Sequence, residues 1–205
     1  MKIGIMGGTF DPIHNGHLML GEYAYHQFDL DEIWFMPNGC PPHKNNAKIG
    51  SEPSVRAEMV QLAITGKEYF RLEDYEVKKD TVSYSYATLE YFKEQYKEHD
   101  FYFIIGADSL FAFERWVHPE RILKTCIILA AYRDEKNNRD VMNQQIEMLK
   151  QKYDADIYLL ETPVMEISSS ELREMIDSGE DISPYIPEQV YDYIQEKGLY
   201  RKQEL

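Results

Sequence analysis

The sequence predicts an α/β protein built on a doubly wound parallel sheet, with helices on both faces and a small helical part toward the C-terminus. Three observations predict it. Short apolar runs of strand length alternate with longer amphipathic stretches along most of the chain. Such alternation gives βαβ units and therefore parallel strands. The unusual residues also cluster just beyond the apolar runs, at Gly7-Gly8, Asn38 to Lys44, Gly106 to Asp108 and Arg133. Ligands of parallel sheets sit beyond the carboxyl ends of the strands, so the clustering and the sheet support each other.

"KIGIM" reads as the first strand. "HLMLGEYAYHQF" follows with helical spacing, and Leu18, Tyr23, Ala24 and Phe28 are expected on one face. "EIWFMP" is the second strand, closed by Pro37, and "PNGCPPHKNN" is a loop because its prolines and glycine forbid regular structure. Ser54 to Ile64 reads as helix, "YFRLED" and "YEVKK" as short strands or extended segments, and Tyr84 to Tyr96 as helix. "DFYFIIGAD" is the clearest buried strand, ending at Gly106, and "TCIILAAYR" is another. Met142 to Lys152 is helical, and "DIYLLE" is the last strand. In "SSSELREMIDSG" serines precede a helical pattern that carries Glu171 in its first turn and Gly179 as a stop. "PEQVYDYIQEKG" is a closing helix between Pro187 and Gly198.

The 205 residues, 43% hydrophobic, suffice for one sizeable core. No Ser/Gly/Pro-rich linker, repeat or low-complexity tract divides them, so residues 1–205 are expected to form a single domain. A net charge of -14 argues against a nucleic-acid-coating protein, which needs basic patches, and against an anionic membrane surface. A small anionic ligand stays open, because a local cluster of donors can hold a phosphate while the far surface is acidic. Two cysteines, Cys40 and Cys126, give no disulfide framework or cysteine-rich metal site. The N-terminus does not read as a signal peptide, and no stretch approaches the ~18 apolar residues of a membrane span, so a cytoplasmic location is expected.

Two stretches carry chemistry. After the first strand stands "GGTFDPIHNGH". Its glycine pair reads either as a plain turn or as a place where a phosphate or sugar approaches the main chain. His14 and His17, three apart, read either as part of a metal site, which needs further ligands, or as donors added to the free N–H groups and dipole of a helix start. Two histidines flanking Gly16 after a glycine turn favour the anion site. The second stretch is "ISSSELR", where serines at a helix start and Arg173 one turn on suit a pyrophosphate, or else form an ordinary cap with a surface arginine.

Together the two stretches resemble the paired signatures of the nucleotidylyltransferase superfamily, (G/S)xFDPxHxGH and ISSxxxR. Within it the chain is similar to the bacterial nicotinate-nucleotide adenylyltransferases. "FMPNGCPPHK", "VSYSYATL", "FIIGADSLFAFERW" and "YIPEQVYDYIQEKGLY" extend the likeness from about Met1 to Arg201. The resemblance implies a Rossmann-like fold and a reaction in NAD biosynthesis in which ATP and nicotinate mononucleotide give deamido-NAD and pyrophosphate. It implies that Gly7, Gly8, Thr9 and Phe10 line the ATP site, that His14 and His17 contact ATP phosphates, and that Ser168, Ser169 and Arg173 hold the leaving pyrophosphate. His14, His17 and Arg173 are the catalytic set. Gly106 and Asp108 meet the ribose of ATP. Trp116 stacks on the pyridine ring, Asn38 and Lys44 close on the mononucleotide, and Tyr84 and Ser85 recognise the pyridine carboxylate. Mg²⁺ arrives with ATP, and no protein side chain is implied as its ligand; Asp11 reads either as fixing the turn, the favoured reading, or as touching Mg²⁺. Family habit points to a homodimer. The sequence departs from its relatives at Arg133-Asp134-Glu135, where many have Arg-Pro-Gly, at Val82, often Pro, and at Ser85, often Thr. The acidic pair after Arg133 weakens any phosphate role there, and Val82 and Ser85 touch the pyridine pocket and its preference for acid over amide mononucleotide.

Overall fold

The apolar run behind Met1 becomes β1 (Lys2–Gly8), and the chain then alternates as its pattern predicts. In this computed structural model residues 1–40, 49–79, 81–131, 139–163 and 167–201 are described. Lys44 and Arg133 lie outside the described residues. After β1 come α1 (Asn15–Gln27), β2 (Glu32–Pro37), α2 (Pro53–Ile64), β3 (Phe70–Leu72), α3 (Ser85–Gln95) and β4 (Asp100–Gly106). Then follow α4 (Ala107–Phe111), α5 (Pro119–Thr125), β5 (Ile127–Ala131), α6 (Arg139–Tyr153), β6 (Ile157–Leu160), α7 (Ser169–Ser178) and α8 (Glu188–Lys197).

All pairings in the sheet are parallel, in the order β3-β2-β1-β4-β5-β6. Successive strands run outward from β1 in one direction, and the chain then crosses to the other side at β4. The order therefore reverses between β1 and β4, and a crevice opens beyond their carboxyl ends. Ile5 pairs with Phe103 and Met6 with Ile104 in register, so Gly7-Gly8 and Gly106 emerge side by side at that crevice.

Side-chain alternation along the strands builds a core on each face of the sheet. Ile3, Ile5, Phe101, Phe103, Ile105 and Ile128 pack with α3, α4, α5 and α6. Met6, Ile33, Phe35, Ile104 and Leu129 pack with α1, α2, α7 and α8. Gly179 (φ 78) and Gly198 (φ 62) end α7 and α8 in the left-handed conformation, as their positions in the sequence predict. Among the described residues no helix is long and apolar enough to cross a membrane.

Two expectations need correction, and two helices are added. "YEVKK" is not a strand: residues 75–78 turn, with the Lys78 N–H on the Asp74 carbonyl, and Glu76 points inward. Tyr23 is exposed, because five residues from Leu18 is about 140° round a helix. The buried stripe of α1 runs through Leu18, Gly21 and Ala24. Finally, α4 and α5 were not anticipated, although Pro119 at the first position of α5 and Glu120 in its first turn are helix-start signals.

Candidate active site

The loop leaving β1 is held in a shape its sequence dictates. A Cβ on Gly8 would stand 2.9 Å from the Phe10 ring, so glycine is needed for that ring to fold back. Phe10 takes a left-handed φ of 51° with its ring fully buried, edge-on to His17 at 5.0 Å. The Asp11–Pro12 peptide is cis.

His14 is the N-cap of α1 and His17 is the third residue of the helix. The His14 N–H donates to His17 Nδ1 at 3.2 Å, and the two rings lie 3.7 Å apart. A nitrogen that accepts carries no proton, so the remaining ring proton of His17 is on Nε2, which becomes a donor. The sequence thus places two imidazoles at the dipole-positive end of a 13-residue helix.

A residue overlooked in the sequence holds this loop from behind. Arg56, on α2, is fully buried. Its guanidinium donates to the carbonyls of Thr9 (2.6 Å), Asn38 (2.7 Å), Gly39 (3.3 Å) and Ser51 (3.2 Å), and to Asn38 Oδ1 at 3.4 Å. It ties the loop after β1 to the loop after β2. Burial lowers its pKa from the usual arginine value, and the negative charge of Asp11 opposes that shift.

Asp11 is almost fully buried, with both oxygens engaged. Oδ1 accepts from the Tyr200 hydroxyl at 2.8 Å, and Oδ2 from the Gly50 N–H at 2.7 Å. The carboxylate thus ties this loop to Gly50 and to the segment after α8. The second signature docks on the same loop. Ser169 donates its hydroxyl to the Pro12 carbonyl at 2.9 Å, and Arg173 Nη1 donates to the Asp11 carbonyl at 2.6 Å. Ser168 caps α7, accepting from the Glu171 N–H at 3.2 Å and donating to its carboxylate at 2.6 Å.

Two clefts open on the crevice. The first, about 330 Å³, is lined by Gly7, His14, Gly16, His17, Gly106, Asp108 and Thr162, among others. A Cβ on Gly106 would meet nothing within 4 Å, so its open side faces the cleft rather than protein. The second, about 360 Å³, is lined by Gly8, Thr9, Asn38, Glu76, Tyr84 and Ser85, among others. Gly7, Phe103, Ser109 and Trp116 line both. Trp116 is half-buried, its ring packed on Phe113 at 5.4 Å and edge-on to Phe103 at 6.2 Å. Ser169 and Arg173 dock on the loop just before the His14 helix start, and with Ser168 they lie outside both linings.

The second cleft contains a carboxyl that sequence reading passed over. Glu76 is 3% exposed and accepts from the Thr88 hydroxyl at 2.8 Å. A Cβ on Gly39 would stand 2.3 Å from the Glu76 carbonyl oxygen, so these two segments pack backbone against backbone and glycine is required. Burial raises the Glu76 pKa above the ordinary carboxylate value, with Thr88 and Ser83 opposing. A group with a raised folded-state pKa binds more protons folded than unfolded. Stability is therefore lost as pH rises from the unfolded pKa through the folded one. Glu76→Gln keeps a partner for Thr88 and removes the buried charge. Its Tm is expected to exceed the parent's at neutral pH, and the gap to close as pH falls below the ordinary carboxylate range; melting curves across pH check this.

With this geometry in hand, the relatives are informative. Residues 5–175 match the cytidylyltransferase-like family. A chain of Lachnoclostridium phytofermentans named "Probable nicotinate-nucleotide adenylyltransferase" is 43% identical over 97% of this chain and 98% of its own. A Clostridium tetani chain of the same name is 40% identical over 98% and 99%. Among solved structures, Plasmodium falciparum nicotinic acid mononucleotide adenylyltransferase complexed with NaAD superposes with a TM-score of 0.80 at 25% identity, over 97% of each chain. The sheet with its reversal between β1 and β4, the paired histidines at the helix start and these full-length likenesses agree: the chain belongs to the nicotinate-nucleotide adenylyltransferases, within the cytidylyltransferase-like family.

Proposed function

We infer that the protein transfers the adenylyl group of ATP to nicotinate mononucleotide, giving deamido-NAD and pyrophosphate, with the whole chain acting as one catalytic domain. The observation that carries this reading is the pair of clefts sharing Gly7, Phe103, Ser109 and Trp116 beside the His14–His17 helix start. Two nucleotides seated in adjoining clefts bring their phosphates together at that shared wall. ATP takes the first cleft, its ribose against Gly106 and Asp108 and its phosphates on His14, His17 and the N–H groups of the helix start. The main chain from Gly7 to Phe10 lines the junction. The mononucleotide takes the second cleft, its pyridine ring against Trp116, its carboxylate on the N-terminal N–H groups of α3 beside Tyr84 and Ser85, and its phosphate side toward Asn38.

An oxygen of the mononucleotide phosphate bonds to the α-phosphorus of ATP as the bond from that phosphorus to the bridging oxygen of pyrophosphate breaks. The nucleophile is already an anion and the leaving group needs no proton, so no general base or acid is required. Catalysis is positioning and charge stabilisation. His17 Nε2–H serves the charge growing on the α-phosphate. Ser168, Ser169 and Arg173 serve the pyrophosphate, for which Arg173 exchanges its contact with the Asp11 carbonyl. Among the described residues no group of three or more His, Cys, Asp or Glu could hold a metal, and both oxygens of Asp11 are occupied. A Mg²⁺ ion carried in with ATP would lend positive charge to the phosphates, beside the donors supplied by His14, His17 and Arg173.

Pyrophosphate release from ATP and Mg²⁺, with nicotinate mononucleotide and its amide supplied separately, tests the assignment. Release with the acid far above release with the amide is the expected result. Equal release with both withdraws the role given to Tyr84 and Ser85, and none with either withdraws the reaction.

A further inference from the structure

We propose that Tyr200 is a positioning residue for the leaving-group site: its hydroxyl holds the Asp11 carboxylate so that Arg173 stays available to pyrophosphate. The inference rests on the reading above that Arg173 serves the pyrophosphate. Asp11 is 2% exposed, and a carboxylate so deep must be satisfied by donors. Its donors are neutral, the Tyr200 hydroxyl at 2.8 Å on Oδ1 and the Gly50 N–H at 2.7 Å on Oδ2. Arg173 lies near but is not captured. Its Nη1 stands 3.7 Å from Asp11 Oδ2, beyond hydrogen-bond length, and bonds instead to the Asp11 carbonyl at 2.6 Å, with the side chain 25% exposed.

The hydroxyl that maintains this balance is itself well fixed. Tyr200 adopts a left-handed φ of 64° just after α8. Its ring packs so closely on Gly50 that a Cβ there would stand 2.9 Å away, and its oxygen lies 3.8 Å from Met59 Sδ. Burial, and then the Asp11 charge, push its pKa up, so it stays a donor across the working pH range. Without that hydroxyl, Asp11 Oδ1 is a buried charge lacking a donor; the nearby Arg56 has each of its nitrogens engaged with other carbonyls, and Arg173, 3.7 Å from Oδ2, is the cation that can turn to it. A charge-assisted bond between them then competes with pyrophosphate for the same guanidinium.

The experiment is a double-mutant cycle read by inhibition with inorganic pyrophosphate in the forward assay, with Tm measured alongside. Tyr200→Phe is expected to raise the pyrophosphate inhibition constant about 10-fold while KM for the mononucleotide moves less than about twofold. In an Arg173→Ala background, Tyr200→Phe is expected to move that constant less than about twofold. Asp11→Asn removes the charge that draws Arg173, so adding Tyr200→Phe to it is also expected to be nearly silent. An equal effect of Tyr200→Phe in all backgrounds, or a loss that tracks Tm and both KM values together, overturns the proposal. If Arg173→Ala raises the constant and Tyr200→Phe does not, only the role of Tyr200 fails. If Arg173→Ala leaves it unchanged, the reading of Arg173 fails and takes this one with it.

Discussion

His17→Ala is expected to lower kcat about 10²–10³-fold, with both KM values changed far less. The reason lies in where the charge appears. As the α-phosphorus passes between two oxygens, negative charge builds on its free oxygens, and a donor aimed there acts on the transition state more than on bound ATP. His17 is preorganised for this. Its Nδ1 accepts the His14 N–H at 3.2 Å, which puts the ring proton on Nε2, and its ring lies 3.7 Å from that of His14 and edge-on to Phe10. Alanine keeps the helix start and its N–H groups, so ATP still binds. Steady-state kinetics with each substrate varied in turn checks the split; a KM for ATP raised in proportion to the loss, with kcat intact, shows that His17 only binds.

Arg56→Met is expected to cost about 3–5 kcal/mol of stability, since carbonyls left buried without donors cost about 1–3 kcal/mol each and the relieved burial of the guanidinium offsets part of that. Thr9, Asn38, Gly39 and Ser51 all lose a donor at once. For a chain of this size that corresponds to a Tm lower by roughly 10 °C, measurable by calorimetry. The mononucleotide cleft suffers first, because Thr9 and Asn38 line it. Arg56→Lys brings back one charge but not the fork, and is expected to recover only part of the stability.

The contrast between His17 and Arg56 shows what the sequence discloses. β1, β4 and β5 are legible because their apolar runs are unbroken and end at special residues. The histidine pair is legible because imidazoles flanking a glycine at a helix start have few other uses. Arg56 is not, since an arginine in the pattern "SVRAEM" reads as an exposed helix residue, and its burial comes from two loops that only the tertiary fold brings over it. Glu76 was hidden differently: "YEVKK" alternates like an edge strand, but backbone packing against Gly39 turns it instead. The 5 residues of α4 and 7 of α5 are too few to display a helical period. Tyr200 stood in a stretch that carried the family likeness, "KGLY", yet nothing in that stretch says which residue it touches.

The span of the Tyr200–Asp11 bond has a consequence for the order in which the enzyme comes into being. The two residues lie 189 positions apart, so ribosomes deliver the loop bearing His14 long before the hydroxyl that secures it. A nascent chain that has released β6 already has every strand of the sheet, but its Asp11 still lacks that partner. The buried Asp11 carboxylate thus gains its full set of donors only when the segment after α8 docks on the loop, which makes the end of the chain the last piece added to the leaving-group side of the site.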